Sequence, residues 1–234
     1  KLAEAVAEID DELMVKYLEG KEITSEEIRH ALVKGIRTGK IVPILAGSAL
    51  QNTAISPLFE AIGNYLPSPK EAKTVTATNL LTHQPETVEP KEDSALAALV
   101  FVTSADPYVG KLTHFRVYSG TINSNSQIWN ATKGQMERVG QLFMCRGKTQ
   151  ESVSQLIAGD IGAVAKLKET LTGDTLGDKS APVFYPPARI AEPSITFAIE
   201  PKTRADEDRI GQAIHKILEE DLALRFSRDP QTKE

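Results

Sequence analysis

The chain has 234 residues, of which 41% are hydrophobic and 25% charged, with a formal net charge of −5. That length exceeds one small core and suits two or more units. The charge excludes a generally basic nucleic-acid binder, and no apolar run approaches the ~20 residues of a membrane-spanning helix. The single cysteine, Cys145, allows neither an internal disulfide nor a thiolate metal site, and the four histidines (His30, His83, His114, His215) have no metal-ligand spacing. No signal peptide is read at the start. A helical pattern is already running at Lys1, so a piece of a longer protein is expected.

Leu2, Val6, Ile9, Leu13 and Tyr17 recur at spacings of three and four, one face of a helix over 1–19 that Gly20 can end. Thr24-Ser25-Glu26-Glu27 matches a capping box, in which the hydroxyl takes one free N–H and Glu27 reaches back to another. Ile28, Leu32 and Ile36 line the helix that follows, and Gly39 is a fitting stop. Ile41-Val42-Pro43-Ile44-Leu45 reads as a strand covered on both faces. Gly47-Ser48-Ala49-Leu50 then turns the chain. Ser56-Pro57 looks like an N-cap followed by Pro at the first helical position, with Ile55, Leu58, Phe59, Ile62 and Leu66 as the buried stripe. A strand, a small turn and an amphipathic helix form one edge of an α/β domain. Pro67-Ser68-Pro69 closes it.

Residues 70–94 are polar and irregular, with one strand expected near Val75. From Leu96 to Val164 apolar runs of strand length alternate with turn chemistry: Asp106-Pro107, Ser119-Gly120, Asn123-Ser124-Asn125, Lys133-Gly134 and Ala158-Gly159-Asp160. Gly140 reads as a bulge within Met136–Met144, and Gly173 to Gly177 as a turn with a short strand. Short strands at near-regular spacing predict a closed antiparallel barrel. Pro182, Pro186, Pro187 and Pro193 mark a second boundary. Alternation at Ile195, Phe197 and Ile199, a capping-box helix from Thr203 and Asp206, and alternation at Leu222, Leu224 and Phe226 predict strand–helix–strand. The expected fold class is therefore multidomain and mainly β. Helical residues 1–40 and an α/β edge at 41–67 precede a barrel at 68–190, and an incomplete α+β domain follows at 191–234.

Motifs for chemistry are few. Gly35 to Ile41 nearly spells a phosphate loop but is one residue short, has Ile41 in place of the hydroxyl residue, and runs from helix to strand. Asp174-Thr175-Leu176-Gly177 spells D-x-x-G but reads as a plain turn inside the barrel. No Asn-Lys-x-Asp, paired-carboxylate or Ser/His/Asp constellation occurs, so no catalytic residue and no metal ligand is assigned. Charge is uneven. Residues 1–30 carry nine acids against four bases, and residues 133–148 carry Lys133, Arg138, Arg146 and Lys148 against Glu137. The acidic end suits a basic partner and the basic stretch suits phosphates; a solvated face is the plainer reading of each.

The barrel run resembles the second domain of translation elongation factor G. The resemblance lies in Leu96-Ala97-Ala98-Leu99-Val100-Phe101, Asp106-Pro107-Tyr108-Val109-Gly110-Lys111-Leu112, Arg116-Val117-Tyr118-Ser119-Gly120-Thr121, Glu137-Arg138-Val139-Gly140 and Ala158-Gly159-Asp160-Ile161-Gly162-Ala163-Val164. Asp11-Glu12-Leu13-Met14 to Gly20 is similar to the end of that family's helical insert, and Ala198 to Asp206 to the opening of its third, ferredoxin-like domain. The resemblance implies a cytoplasmic, ribosome-binding GTPase that promotes translocation of tRNA and mRNA. It implies that Gly47, Ser48 and Ala49 face the guanine of GTP or GDP, bound with Mg2+ in a longer parent whose phosphate loop and switches lie upstream of Lys1. On that ground this piece alone is expected to be inactive and to bind no nucleotide firmly. It also implies that the acidic helices meet the ribosomal stalk protein, and that the barrel rests on small-subunit RNA through Lys133, Arg138, Arg146 and Lys148. Gln51-Asn52-Thr53-Ala54 and Phe143-Met144-Cys145-Arg146-Gly147-Lys148 depart from the usual pattern. They leave open a divergent elongation-factor-G-like protein, a ribosomal protection protein or a peptide-release-factor GTPase; a non-catalytic ribosome-binding module is a separate alternative.

Overall fold

A computed structural model describes residues 2–72, 74–106, 110–147, 149–186, 190 and 192–227. Expectations resting on Pro107, Tyr108, Val109, Lys148 and Pro187 lie outside the described residues. The chain divides into two compact units, Lys1–Lys73 and Thr74–Glu234.

The first unit holds α1 (Leu2–Ala7), α2 (Asp11–Leu18), α3 (Ser25–Arg37) and α4 (Ile55–Tyr65). The one helix expected over 1–19 is broken in two. Asp10 takes an extended conformation and its carboxylate accepts from the Glu12 N–H at 3.2 Å, which starts α2 afresh. The capping box of α3 forms as expected: Thr24 Oγ1 accepts from the Glu27 N–H at 3.3 Å, and the Glu27 carboxylate accepts from the Thr24 N–H at 2.8 Å. Lys16 donates to that carboxylate at 2.8 Å, and Lys34 pairs with Asp10 at 2.8 Å, so charge pairs join the helices around buried Val6, Ala7 and Ala31.

Three further expectations for this unit change. Ile41–Leu45 belongs to no sheet, and Val42 and Ile44 are 79% and 93% exposed. A strand needs a neighbour to take its backbone hydrogen bonds, and no described strand pairs with this segment. The cap of α4 is Ala54, at φ 61°, and not Ser56, so Pro57 falls in the first turn where its missing N–H costs nothing. Of the stripe expected to be buried, Leu58, Phe59, Ile62 and Leu66 are exposed, since this unit has no strand among the described residues for them to cover.

The second unit runs β1 (Val75–Asn79), β2 (Pro85–Val88), β3 (Ala97–Asp106), β4 (Gly110–Ser119), β5 (Thr121–Asn123), β6 (Gln127–Asn130), β7 (Gln135–Arg138), β8 (Leu142–Arg146), β9 (Thr149–Val153), β10 (Gln155–Ile157), β11 (Ile161–Ala165), β12 (Thr175–Gly177), β13 (Val183–Phe184) and α5 (Arg204–Glu220). Eight strands form one antiparallel sheet in the order β7-β6-β12-β3-β4-β11-β8-β9, and β10 pairs with β5. The sheet curls around a single core built on Val100, Phe115, Val117, Ile128, Leu142 and Leu176. Each such side chain contributes about 1.5–3 kcal/mol by leaving water. In β4, Thr113, Phe115, Val117 and Ser119 point inward with period two. The β3–β4 register shifts between Val100 and Val102, which leaves Phe101 unpaired and 47% exposed. Gly120, at φ 74°, turns between β4 and β5; a Cβ there would stand 2.6 Å from the Leu96 Cα, so only glycine fits. The barrel is thus present, with its ladder open between the two edge strands β7 and β9.

The stretches read as irregular boundaries carry more structure than expected. β13, β1 and β2 form a three-stranded sheet over a second small core of Ala77, Ala97, Val183 and Tyr185. The Tyr185 ring meets Tyr118 at 4.9 Å between centroids, and burial pushes its hydroxyl pKa well up. A two-residue strand is too short to show a period, and Pro85 starts β2 where no ladder N–H is needed. Gly140 links β7 to β8 and is not a bulge. Beyond the barrel, α5 starts at the Thr203–Asp206 capping box. Neither flanking strand forms: Ile195, Phe197 and Ile199 are 70%, 83% and 52% exposed, and 221–227 pairs with no strand.

Candidate functional site

β7 and β6 pair with Trp129 opposite Met136 and Ile128 opposite Glu137. Side chains alternate across a strand, so Met136 and Arg138 share the outer face of β7 while Glu137 points inward. The outer face borders a groove of about 610 Å³ at the open edge of the sheet. Met136, Phe143 and Ala165 supply its apolar surface, and Arg138, Lys166 and Lys168 its positive charge, against the acids Glu137 and Glu169. All three cations are exposed, and none has a side-chain hydrogen bond or ion pair among the described residues. Lys166 and Lys168, just beyond β11, flank Leu167, which is buried in the core, while both lysines are exposed.

What fixes this arrangement is a buried polar network. The Glu137 carboxylate, 8% exposed, accepts from the Lys168 N–H at 2.7 Å, the Glu169 N–H at 3.1 Å and the Thr170 hydroxyl. Fully buried Asn130 donates to Thr170 Oγ1 at 3.1 Å and to Asp174 Oδ2 at 2.9 Å, and accepts from the Lys133 N–H at 3.0 Å. Asp174 also accepts from the Leu171 N–H at 2.9 Å, so the D-x-x-G sequence is spent on closing a turn. Lys166 adopts φ 64° and its N–H donates to the Lys111 carbonyl at 2.8 Å. A left-handed lysine is uncommon and persists because its neighbours are held on both sides.

The sequence-derived cations fare unequally. Arg138 lies in the groove. Lys133 is engaged: its ammonium donates to the Glu169 carbonyl and sits 3.7 Å from Asp174. Arg146 pairs with Glu151 at 2.6 Å on the β8–β9 hairpin. Lys148 lies outside the described residues. Lys166 and Lys168 were missed; the signal was two lysines either side of an apolar residue directly after a strand. His114 adds no cation, since burial lowers its pKa from 6.5.

At the turn expected to face guanine, Ser48 and Thr53 exchange backbone hydrogen bonds of 3.0 and 2.9 Å. A Cβ on Gly47 would stand 3.0 Å from the Thr53 carbonyl oxygen, which favours glycine there. The Ser48 N–H is therefore occupied, while those of Gly47 and Ala49 have no acceptor among the described residues. The turn offers two free N–H groups and little side-chain bulk, which fits an acceptor-bearing base edge only in part. Among the described residues no group of three or more His, Cys, Asp or Glu is placed to hold a metal, and no helix is long and apolar enough to cross a membrane.

Comparison with known proteins agrees with this architecture. Residues 95–179 match the family model of elongation factor G domain 2, and residues 190–234 that of elongation factor G, domain III. A crystal structure of a protein from Thermus thermophilus is similar over 99% of this chain, with 30% identity and a TM-score of 0.74. The chain spans about a third of that protein, 32% of its length. Two family models in consecutive order, over a barrel and the helix that follows it, show that the chain belongs to the elongation factor G family and carries its domain 2 and the start of its domain III.

Proposed function

We propose that this chain is part of a ribosome-binding translational GTPase that promotes GTP-dependent translocation of tRNA and mRNA. The observation that carries the reading is the uninterrupted order of the two elongation factor G domains within a chain of the same fold. In this reading the barrel rests on small-subunit ribosomal RNA through Arg138 with Lys166 and Lys168, and through Arg146 once released from Glu151. Lys133 contributes to the shape of the site and not to its charge. The acidic surface of α1 to α3 serves the stalk protein. Gly47 and Ala49 meet the guanine of GTP or GDP in the longer parent, where the nucleotide and Mg2+ supply the reacting phosphate and its charge neutralisation.

Cosedimentation with small ribosomal subunits tests the reading. Binding that weakens steeply as salt rises is the expected result, since phosphate contacts release counterions; no binding at low salt would overturn it. The chain by itself is expected not to hydrolyse GTP, because these 234 residues contain no phosphate loop and no Asn-Lys-x-Asp. Turnover abolished by changes at Gly47–Ala49 would contradict that. Sequence upstream of Lys1 separates the GTPase from a non-catalytic ribosome-binding module: both motifs belong there, and a parent lacking them is the module.

A further inference from the structure

The geometry points to a specific ligand for the groove beside β7: an unpaired RNA nucleotide, its base against Phe143 and Met136 and its phosphates on Arg138, Lys166 and Lys168. This rests on the ribosome-binding reading above and goes beyond it, because a patch that only tracks an RNA backbone needs no apolar floor. Three features support the assignment. The groove measures about 610 Å³, within the ~300–1,000 Å³ of small-molecule sites. Its cations are unpaired among the described residues and outnumber the two acids of the lining, Glu137, whose buried carboxylate accepts from three donors of the chain itself, and Glu169. Its lining joins an aromatic ring to a thioether, with the Gln135 amide beside them to meet a base edge. Apolar stacking beneath flanking cations is how single strands are held without dependence on sequence, and a base paired inside a duplex is not free to enter. A glutamate-rich peptide would satisfy the cations but brings no flat π-face to the ring.

Fluorescence anisotropy with the full 234-residue chain tests this. The probes are labelled hexauridylate and hexaadenylate, a twelve-base-pair RNA duplex, inorganic polyphosphate and a glutamate-rich peptide. Both single strands should bind more tightly than the other three at equal charge. The combined R138Q, K166Q and K168Q changes should weaken single-strand binding about tenfold or more and flatten the logarithmic salt slope by about 2, from three phosphates at ~0.7 each. Phe143→Leu keeps apolar volume but removes the π-face; it should weaken single strands about fivefold with the salt slope unchanged. Met136→Ser, at a half-exposed site, should act in the same direction and stands in if Phe143→Leu fails to fold. Equal affinity for single strand and duplex, for single strand and polyphosphate, or for single strand and acidic peptide would overturn the inference. So would single-strand binding untouched by either Phe143→Leu or Met136→Ser. Ribosomal-subunit cosedimentation of the same proteins separates the two proposals. Subunit binding without oligonucleotide discrimination sinks the groove and leaves the ribosome reading standing. Groove binding of single strands without subunit binding does the reverse.

Discussion

Asn130 touches the turn from β6 to β7 and the loop from 168 to 174 at once. Its amide donates to Thr170 and Asp174 and its carbonyl accepts from Lys133, all with the side chain fully buried. Asn130→Ala would leave the Asp174 carboxylate and the Thr170 hydroxyl each short of a partner in a dry site. A loss of about 1–3 kcal/mol is expected, measurable by urea unfolding followed at Trp129, the single tryptophan. A change under a few tenths would mean that water reaches the network. None of this was legible beforehand. Asp174 could be read as a turn residue from its neighbours, but its partner Asn130 lies 44 residues away and Glu137 lies 33 from Thr170. Only the strand register brings them together. For the same reason Lys133 counted as a free cation in the sequence, when the Glu169 carbonyl and Asp174 absorb it.

Elements whose determinants lie within one turn were readable. The boxes at Thr24 and Thr203 give helix starts at the expected residues, and Gly39, at φ 74°, follows α3. The strand expected over 41–45 rests on an apolar run and that over 195–199 on alternation, and neither pattern supplies a hydrogen-bonding neighbour. The α3 box also has a pH signature. The Lys16 ammonium, and then the Thr24 N–H and hydroxyl, hold the Glu27 pKa at about 2, below its ordinary 4.5. A depressed carboxylate stabilises the fold above its unfolded pKa, and the effect fades as pH falls through the folded value. The protection of the first-turn amides of α3, measured against their intrinsic exchange rate at each pH, should therefore fall progressively between pH 4.5 and 2. Glu27→Gln should exchange faster at neutral pH and lose that step. An unchanged pH profile in the variant would show that Glu27 is not the titrating group.

Across the whole chain, apolar burial is uneven. Leu96 to Tyr185 holds both cores of the second unit, save Ala77, whereas Val42, Ile44, Leu50, Phe59, Phe197 and Phe226 are exposed. Limited proteolysis should trim 41–54 and 192–203 early and leave a fragment close to 74–186 that keeps the Trp129 emission of the intact chain. Early cleavage inside β3 to β12 would show that the barrel depends on its flanks. The barrel's existence was legible because turn residues punctuate it regularly, and its family resemblance rests on those same turns. The groove was not: it forms where edge strand β7 comes beside Phe143 of β8 and the segment after β11, and one sequence does not reveal which segments will meet there.

That open edge has a consequence for self-association. An unpaired strand is a template on which another chain can build, and proteins guard such edges with charge turned inward. In β7 the guard is Glu137, which reaches past its own strand to take the N–H groups of Lys168 and Glu169. Replacing it by valine would set a β-branched apolar side chain between Met136 and Arg138, two residues before Val139, on a bare edge of high β propensity with no inward charge. Glu137→Val should convert a dispersed protein into one that forms thioflavin-positive fibres in a concentration-dependent way, while Glu137→Gln, still polar, should do so far less. If both remain monomeric in sedimentation at high concentration, the edge is guarded by something other than this carboxylate.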